Sequence, residues 1–524
     1  MPLLLQGLMD GLIGEGLAFE TSYHFVMAVV VSLLIVLPIS RIIYNLFFHP
    51  LRHFPGPLIQ RASVLPFAMY WCLGKQPSRT QQLHDQYGPV VRVSPNHLSF
   101  CDTRAWKDIY GHLPPTQPGA KKALEMDKTT PFHRMFDDLP PTILNARREE
   151  HKHVRRALTH GFSETSLRQQ DALIVKSVNL LLQKLHEQAD QASTTGINTP
   201  INAEAWYNYT TFDITGDLIF GTTFGCLDDS TYHPWITGIM SAVKFGGYMM
   251  AISYVGLHWL VQIAFRLFGH RNLAKMNRLS GEMIQGRMGI KEDRDDLFEG
   301  LRNIPEPWNL SFESLSGNAF ILVLAGSETT ATALSGATYL LTTHPEILAK
   351  LTHEVRSTFE SADEITMTSA NRLPYLLAVI NESLRMYPPV TSGLVREVPV
   401  GGGTVAGHYL PAGTFVEVQS WAMNHCATYW KDPWTFNPDR FLSSTEEARE
   451  AGNTLEALQP FSLGPRNCIG RNLAYAEMRL ILARIIFDFD LKLADDSQQW
   501  IERQWVHILW DRIPLNVIFT PLKR

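Results

Sequence analysis

The residues with the clearest chemical potential lie near the C-terminus, in Phe461-Ser-Leu-Gly-Pro-Arg-Asn-Cys-Ile-Gly470. Cys468 sits in a loop rich in glycine and arginine, just before a long helical pattern that runs from Arg471 to Phe487. Gly464 and Gly470 allow backbone conformations and close approaches that a Cβ would block. Arg466 and the N-terminus of the following helix place positive charge near the sulfur, and both favour thiolate over thiol. Three roles fit these facts: a buried inert cysteine, a redox thiol, or a soft metal ligand. No Cys or His neighbour is available to complete a zinc cage. A thiolate acting as the sole protein ligand suits haem iron.

Three further groups stand out. Glu382 and Arg385 are spaced i,i+3, so a helix would put carboxylate and guanidinium on one face. Alone, such a pair reads as a surface ion pair, but the neighbours Leu377, Val379, Ile380 and Leu384 favour burial. Ala325-Gly-Ser-Glu-Thr-Thr330 lies inside a helical run from about Phe312 to Thr343, where a mid-helix glycine costs roughly 1 kcal/mol relative to alanine. There Glu328 and Thr329 form an acid and alcohol able to relay protons. Finally, His151-Lys-His-Val-Arg155 and the Arg396 of Gly-Leu-Val-Arg-Glu offer cations, and forked guanidinium donors suit carboxylates.

The loop reads FxxGxRxCxG, and with the other groups in this order the chain resembles the cytochrome P-450 superfamily of haem-thiolate monooxygenases. The resemblance covers nearly all of the chain beyond the N-terminus. It implies a mainly α fold with small β-sheets, holding haem b. Cys468 would be the iron ligand, in a loop shaped by Phe461, Gly464, Arg466 and Gly470. Glu328 and Thr329 would handle protons, with a local kink at Gly326 leaving groove space for dioxygen. Glu382 and Arg385 would join Arg440, supplied by Phe436-Asn-Pro-Asp-Arg440-Phe441, in a structural brace. His151, Arg155, Arg466 and Arg396 would meet the haem and its propionates; many members carry Trp where His151 stands.

The activity implied is insertion of one oxygen atom from O2 into an apolar small molecule, by hydroxylation or epoxidation. Electrons would come from an NADPH-dependent flavoprotein reductase, with cytochrome b5 as a further partner. The Pro-rich link and overall layout resemble fungal members that oxidise terpenoids, polyketides or alkaloids. A haem-thiolate isomerase or dehydratase, needing no O2, and a non-catalytic haem sensor are the alternatives. The intact Glu328-Thr329 pair argues against both. Substrate would be enclosed by residues 111–146, Met240–Tyr254, Phe320–Ala325, Val390–Val395 and His507–Ile513.

The remaining sequence must position these groups. The chain has 524 residues, 45% of them apolar and 19% charged, enough for a large core. Its net charge of −5 gives no basic excess pointing to nucleic acid. The five cysteines are scattered, with no CxxC, which fits reduced thiols. No charge occurs between Glu20 and Arg41, and Phe25 to Ile39 is almost wholly apolar. About 20 such residues match the ~30 Å hydrocarbon core. Arg41, Arg52 and Arg61 follow the apolar run, so the positive-inside rule predicts a lumenal N-terminus and a cytosolic domain, on the endoplasmic reticulum membrane.

The expected organisation is an anchor over 1–48, a proline-rich linker over 49–60 and one monooxygenase domain over 61–524. Short strands are expected over Tyr87–Phe100 and 390–420, with helices dominating between about 146 and 390. Residues 111–146 read as a long loop. The sequons at Asn208, Asn309 and Asn381 are set aside, because the domain is placed in the cytosol.

Overall fold

The computed structural model describes residues 31–32, 34–112, 125–133, 140–194, 199–289, 297–302, 304 and 309–522. Helices dominate it, with four small sheets. At its centre runs the helix Phe312–Thr343, buried along most of its length. Ser311 starts it by accepting the Ser314 N–H through its side chain. A helix apolar on every side belongs inside a core, yet this one is also rich in Ser and Thr. Their hydroxyls are satisfied within the helix: Thr332 Oγ1 donates to Glu328 O at 2.7 Å, and Ser335 Oγ to Ala331 O at 2.8 Å.

The helix Ala203–Phe220 packs closely along this central helix. Their closest approach explains Gly326: a Cβ there would stand 2.7 Å from Thr215 Cγ2. The central helix continues through Gly326 without interruption. The expected kink is therefore replaced by a helix–helix contact that only glycine admits.

A five-stranded sheet forms the second layer, in the order Val90–Ser94, His97–Phe100, Phe415–Val418, Arg396–Glu397, Asp127–Lys128. The predicted strands at 87–100 and two of those at 390–420 are thus parts of one sheet, while Gly403–Val405 and His408–Leu410 pair with each other as a separate hairpin. Of the predicted loop 111–146, residues 113–124 and 134–139 lie outside the described residues; within the rest, Asp127–Lys128 pairs with Arg396–Glu397 and Thr130–His133 is a short helix. The Pro-rich link is not free either. Arg92 N–H donates to Pro55 O at 2.7 Å, and Leu58–Ala62 is already helical. Most of the predicted anchor lies outside the described residues. What is described, Leu34–Phe48, is a short apolar helix with Leu34, Leu37, Phe47 and Phe48 exposed.

One sheet residue carries a pH-dependent cost. Glu417, on Phe415–Val418, is fully buried, and neither carboxylate oxygen has a hydrogen-bond partner. Burial pushes its pKa up to about 8 and that of the nearby His97 down to about 3. Their 3.9 Å contact is therefore between neutral groups, not an ion pair. A raised folded-state pKa means stability is fully present below the unfolded value of 4.5 and is lost as pH climbs towards 8. Glu417→Gln should leave the melting temperature unchanged near pH 4 and raise it near pH 8, by a few kcal/mol equivalent at most. Equal effects at both pH values would contradict this assignment.

Candidate active site

The cysteine loop is built by backbone bonds. Cys468 N–H donates to Phe461 O at 2.9 Å and Asn467 N–H to Gly464 O at 3.1 Å, curling the chain around the sulfur. Gly464 has φ +72°, and a Cβ there would collide with the Tyr110 carbonyl. The helix Arg471–Asp488 begins directly after Gly470, and its first turn aims N–H groups towards the loop.

Cys468 lies deep in the protein, yet its surface is exposed, because it faces an internal space and not packed side chains. Ala325 shows the same property, exposed midway along an otherwise buried helix. Thr329, one turn on, is partly exposed and donates Oγ1 to Ala325 O at 2.6 Å. Burial raises the Cys468 thiol, while the Gly470 amide and Arg155 pull it back down. The expected role of Arg466 in stabilising the thiolate is corrected here. Its guanidinium is spent on Glu125 Oε1 at 2.9 Å and the Ala146 carbonyl at 3.1 Å. Arg155 is the nearer cation, bonded to the backbone and side chain of Asn467, next to the cysteine.

Around this space the charges do not balance. Arg396 is buried, bonded only to the carbonyls of Leu394 and Val395 among the described partners, with its guanidinium over the Tyr110 ring. Lys128 is bonded to the Leu144 carbonyl, and burial together with Arg396 and Arg466 lowers its pKa. His133 is pushed down by burial, then by Lys128 and Arg396. His151 is brought to about 3 by burial, Arg466, Lys128, Arg155 and Arg396, so it stands neutral. Glu125 is the buried carboxylate within this group. Cations that depress one another's protonation around one carboxylate make a site that favours added negative charge. Carboxylates of a haem would supply it, and a soft thiolate exposed inside the protein would meet its iron. The residues present therefore fit the group.

Of the predicted propionate partners, Arg396 and His151 lie in this cluster, Arg466 joins it while paired to Glu125, and Arg155 faces the cysteine loop. Lys128, His133 and Glu125 were absent from the expectation. Their segment reads as loop, and only its charges hinted at a role.

The brace is complete and buried. Glu382 takes two bonds from Arg385, at 2.7 and 2.8 Å, and one from Arg440 Nε at 3.3 Å. It also accepts the Asn437 N–H at 2.9 Å. Arg385 Nη1 reaches the Asn424 and Pro433 carbonyls, each at 2.7 Å. Arg440 Nη2 reaches the Asp432 carbonyl at 2.9 Å. Three residues thus tie the helix Pro374–Met386 to the segment that leads into the cysteine loop. Of the sequon asparagines, buried Asn208 bonds Glu204 and Tyr232, half-buried Asn381 bonds Tyr475, and Asn309 is exposed.

Glu328 and Thr329, neighbours in sequence, face different surroundings. Glu328 is buried and accepts from Arg512 Nη2 at 2.6 Å. Burial raises its carboxyl, and Arg512 opposes that rise. Nothing in the local sequence signalled Arg512, which comes from the C-terminal hairpin.

The sequence matches the cytochrome P450 family over residues 60–519. It is 44% identical to the cytochrome P450 monooxygenase tpeC of Talaromyces stipitatus, covering 94% of each chain. It is 39% identical to a cytochrome P450 monooxygenase of Neocamarosporium betae, over 96% of this chain and 100% of that one. To the trichothecene C-15 hydroxylase of Fusarium sporotrichioides it is 40% identical, over 92% of this chain and 95% of the relative.

Proposed function

Starting from the cytochrome P450 family, to which this chain belongs, we propose that it oxygenates an apolar small molecule of fungal secondary metabolism, with Cys468 as the iron ligand. The protein is a monooxygenase, its cofactor is haem b held by a cysteine thiolate, and it depends on a partner reductase for electrons. When bound, the haem supplies the O2 chemistry: one oxygen atom enters the substrate and the other leaves as water, at the cost of two electrons and two protons. The observation that carries the assignment is Cys468, interior yet exposed, in a space ringed by cations.

This chain's own residues have defined tasks in that reading. Arg155 and the Gly470 amide hold Cys468 towards its anionic form. Arg396, Lys128, His133 and His151 take the propionates. Thr329 Oγ1 donates to the Ala325 carbonyl, so its lone pairs point free to hold a water or an oxygen atom. Glu328 supplies protons. Exposed Lys152 and Arg156, on the helix Arg148–Thr159, offer a positive docking face for the reductase.

The substrate class rests on the relatives. One is named for hydroxylating a trichothecene at C-15, and an apolar polycyclic substrate is inferred from that likeness. Residues 1–48 form the anchor in the endoplasmic reticulum membrane, 49–60 the link and 61–524 the catalytic domain. Exposed Leu58, Ile59 and Leu65, with Trp259 and Leu267, give the domain an apolar surface that lipid would cover.

The test is reconstitution with haem, reductase, NADPH and O2 and a panel of terpenoid, polyketide and alkaloid substrates. Oxygenated product dependent on both NADPH and O2 supports the reading. Rearranged or dehydrated product without O2 would favour the isomerase alternative. Thr329→Ala should retain haem and divert electrons to hydrogen peroxide, with product per NADPH falling about tenfold or more. Unchanged coupling in this variant would remove Thr329 from proton handling.

A further inference from the structure

Two cysteines that stand far apart in the sequence meet in the fold. Cys101 directly follows the strand His97–Phe100, and its N–H donates to the Pro89 carbonyl at 2.7 Å. That strand runs parallel to Phe415–Val418, with Phe100 beside Val418. The chain then forms the short helix Ser420–Asn424, and Cys426 N–H donates back to the Met423 carbonyl at 3.4 Å. Both cysteines thus reach the same end of the sheet and join one apolar cluster with Met423 and Trp430. Tyr429 spans them: its N–H donates to the Cys426 carbonyl at 3.0 Å and its hydroxyl to the Cys101 carbonyl at 3.5 Å.

Within this frame the side chains touch, the Cys101 thiol donating a hydrogen bond to the Cys426 sulfur. The Thr428 hydroxyl and amide and the Tyr429 amide are further donors to that sulfur. Donors gathered on one sulfur stabilise its anion, and here, Cys101 foremost, they bring the Cys426 thiol down to about 6 against the effect of burial. Cys101 moves the other way. As the donor to Cys426, buried and near Asp85 and Asp102, its thiol is held well above the usual range. Access differs too: Cys101 is buried, whereas Cys426 is half-buried beside exposed Ala427 and Thr428, within reach of a small solute. Burial raises the thiols of Cys72 and Cys226, which keeps both protonated and slow to react.

We infer that Cys426 and Cys101 are a peroxide-reactive pair, in which Cys426 takes the oxidant and Cys101 closes a disulfide. The oxidant is hydrogen peroxide, which a monooxygenase releases whenever electrons reach O2 without reaching substrate. The Cys426 thiolate attacks one peroxide oxygen: an S–O bond forms, the O–O bond breaks, and the departing hydroxide takes a proton and leaves as water. The Cys101 sulfur then attacks the Cys426 sulfenic acid. An S–S bond forms, the S–O bond breaks, and the Cys101 proton leaves with the hydroxide as a second water. The two sulfurs supply the two electrons that reduce one peroxide to two waters. The disulfide would tie the end of the sheet to the segment whose Asn424 carbonyl accepts from Arg385 of the brace. This chemistry is independent of the roles assigned to Glu328 and Thr329.

The experiment treats the haem-loaded full chain with hydrogen peroxide, blocks the remaining thiols with iodoacetamide, and maps the digest by mass spectrometry. The expected product is a linked peptide pair holding Cys101 and Cys426, released by dithiothreitol, at peroxide doses that leave Cys72 and Cys226 alkylated. Turnover with reductase and NADPH but no substrate should give the same linked pair, and catalase should suppress it. Cys101→Ala should strand Cys426 as its sulfenic acid and raise dimedone labelling there about tenfold over the parent. Cys426→Ser should leave Cys101 unlabelled and open to alkylation. Each variant's carbonyl spectrum, expected to match the parent, reports its folding. If Cys101→Ala fails to fold, the parent map and its catalase control decide alone. Oxidation of Cys72 before any Cys101–Cys426 link appears, dimedone labelling of Cys426 that is equal in parent and Cys101→Ala, or a link formed in turnover regardless of catalase overturns the inference.

Discussion

Cys468→Ala is expected to abolish the red-shifted Soret band of the reduced carbonyl complex and all NADPH-dependent oxygenation. That band reports a thiolate ligand, which Cys468 would supply. Cys101 and Cys226 are buried in packed surroundings, and their thiols are raised by their neighbours and by burial. The fold should survive, because the Cys468 sulfur faces the internal space and the loop is held by backbone bonds at Phe461 and Gly464. Far-ultraviolet dichroism should therefore match the parent while the carbonyl spectrum does not. A variant that keeps the red-shifted band would assign the ligand to another residue.

Glu382→Ala is expected to have the largest effect on stability. It leaves two guanidinium groups, Arg385 and Arg440, buried with their shared carboxylate gone. Removing one partner of a buried ion pair costs about 3–5 kcal/mol, because the remaining charge stays desolvated. Here the loss also orphans the Asn437 N–H. The segment tied down by these bonds leads directly to the cysteine loop, so haem retention should fall with the melting temperature. The comparison is Lys350→Ala, which breaks the exposed Lys350–Asp439 pair nearby and should cost about 1 kcal/mol or less. Equal losses from the two variants would show that the brace is not what supports the loop.

How far each feature could be read from the chain follows from its range in sequence. The central helix appears over Phe312–Thr343, the bounds its apolar pattern predicts, because helix periodicity is a local property. The Glu382–Arg385 pair forms because i,i+3 spacing sets its geometry before any tertiary contact. Gly326 shows the limit of such reading. A mid-helix glycine suggests a kink, but its cause is Thr215 on another helix, which no local pattern reveals. Arg466 shows the same limit for charge. Two positions from the cysteine, it looks like the thiolate's partner, yet Glu125, 341 residues away, claims it.

The amino-acid order by itself determined the chemistry available: a cysteine loop before a helix, an acid beside an alcohol, and a carboxylate spaced to pair with an arginine. These groups act through neighbours a few residues away, where bond geometry alone sets the distances. Only the tertiary structure decided the electrostatic setting. Lys128 and Arg396 meet because their strands pair, and Arg512 reaches Glu328 across 184 residues. Burial then strengthens those long-range encounters, since charges removed from water interact most strongly with whatever the fold places beside them.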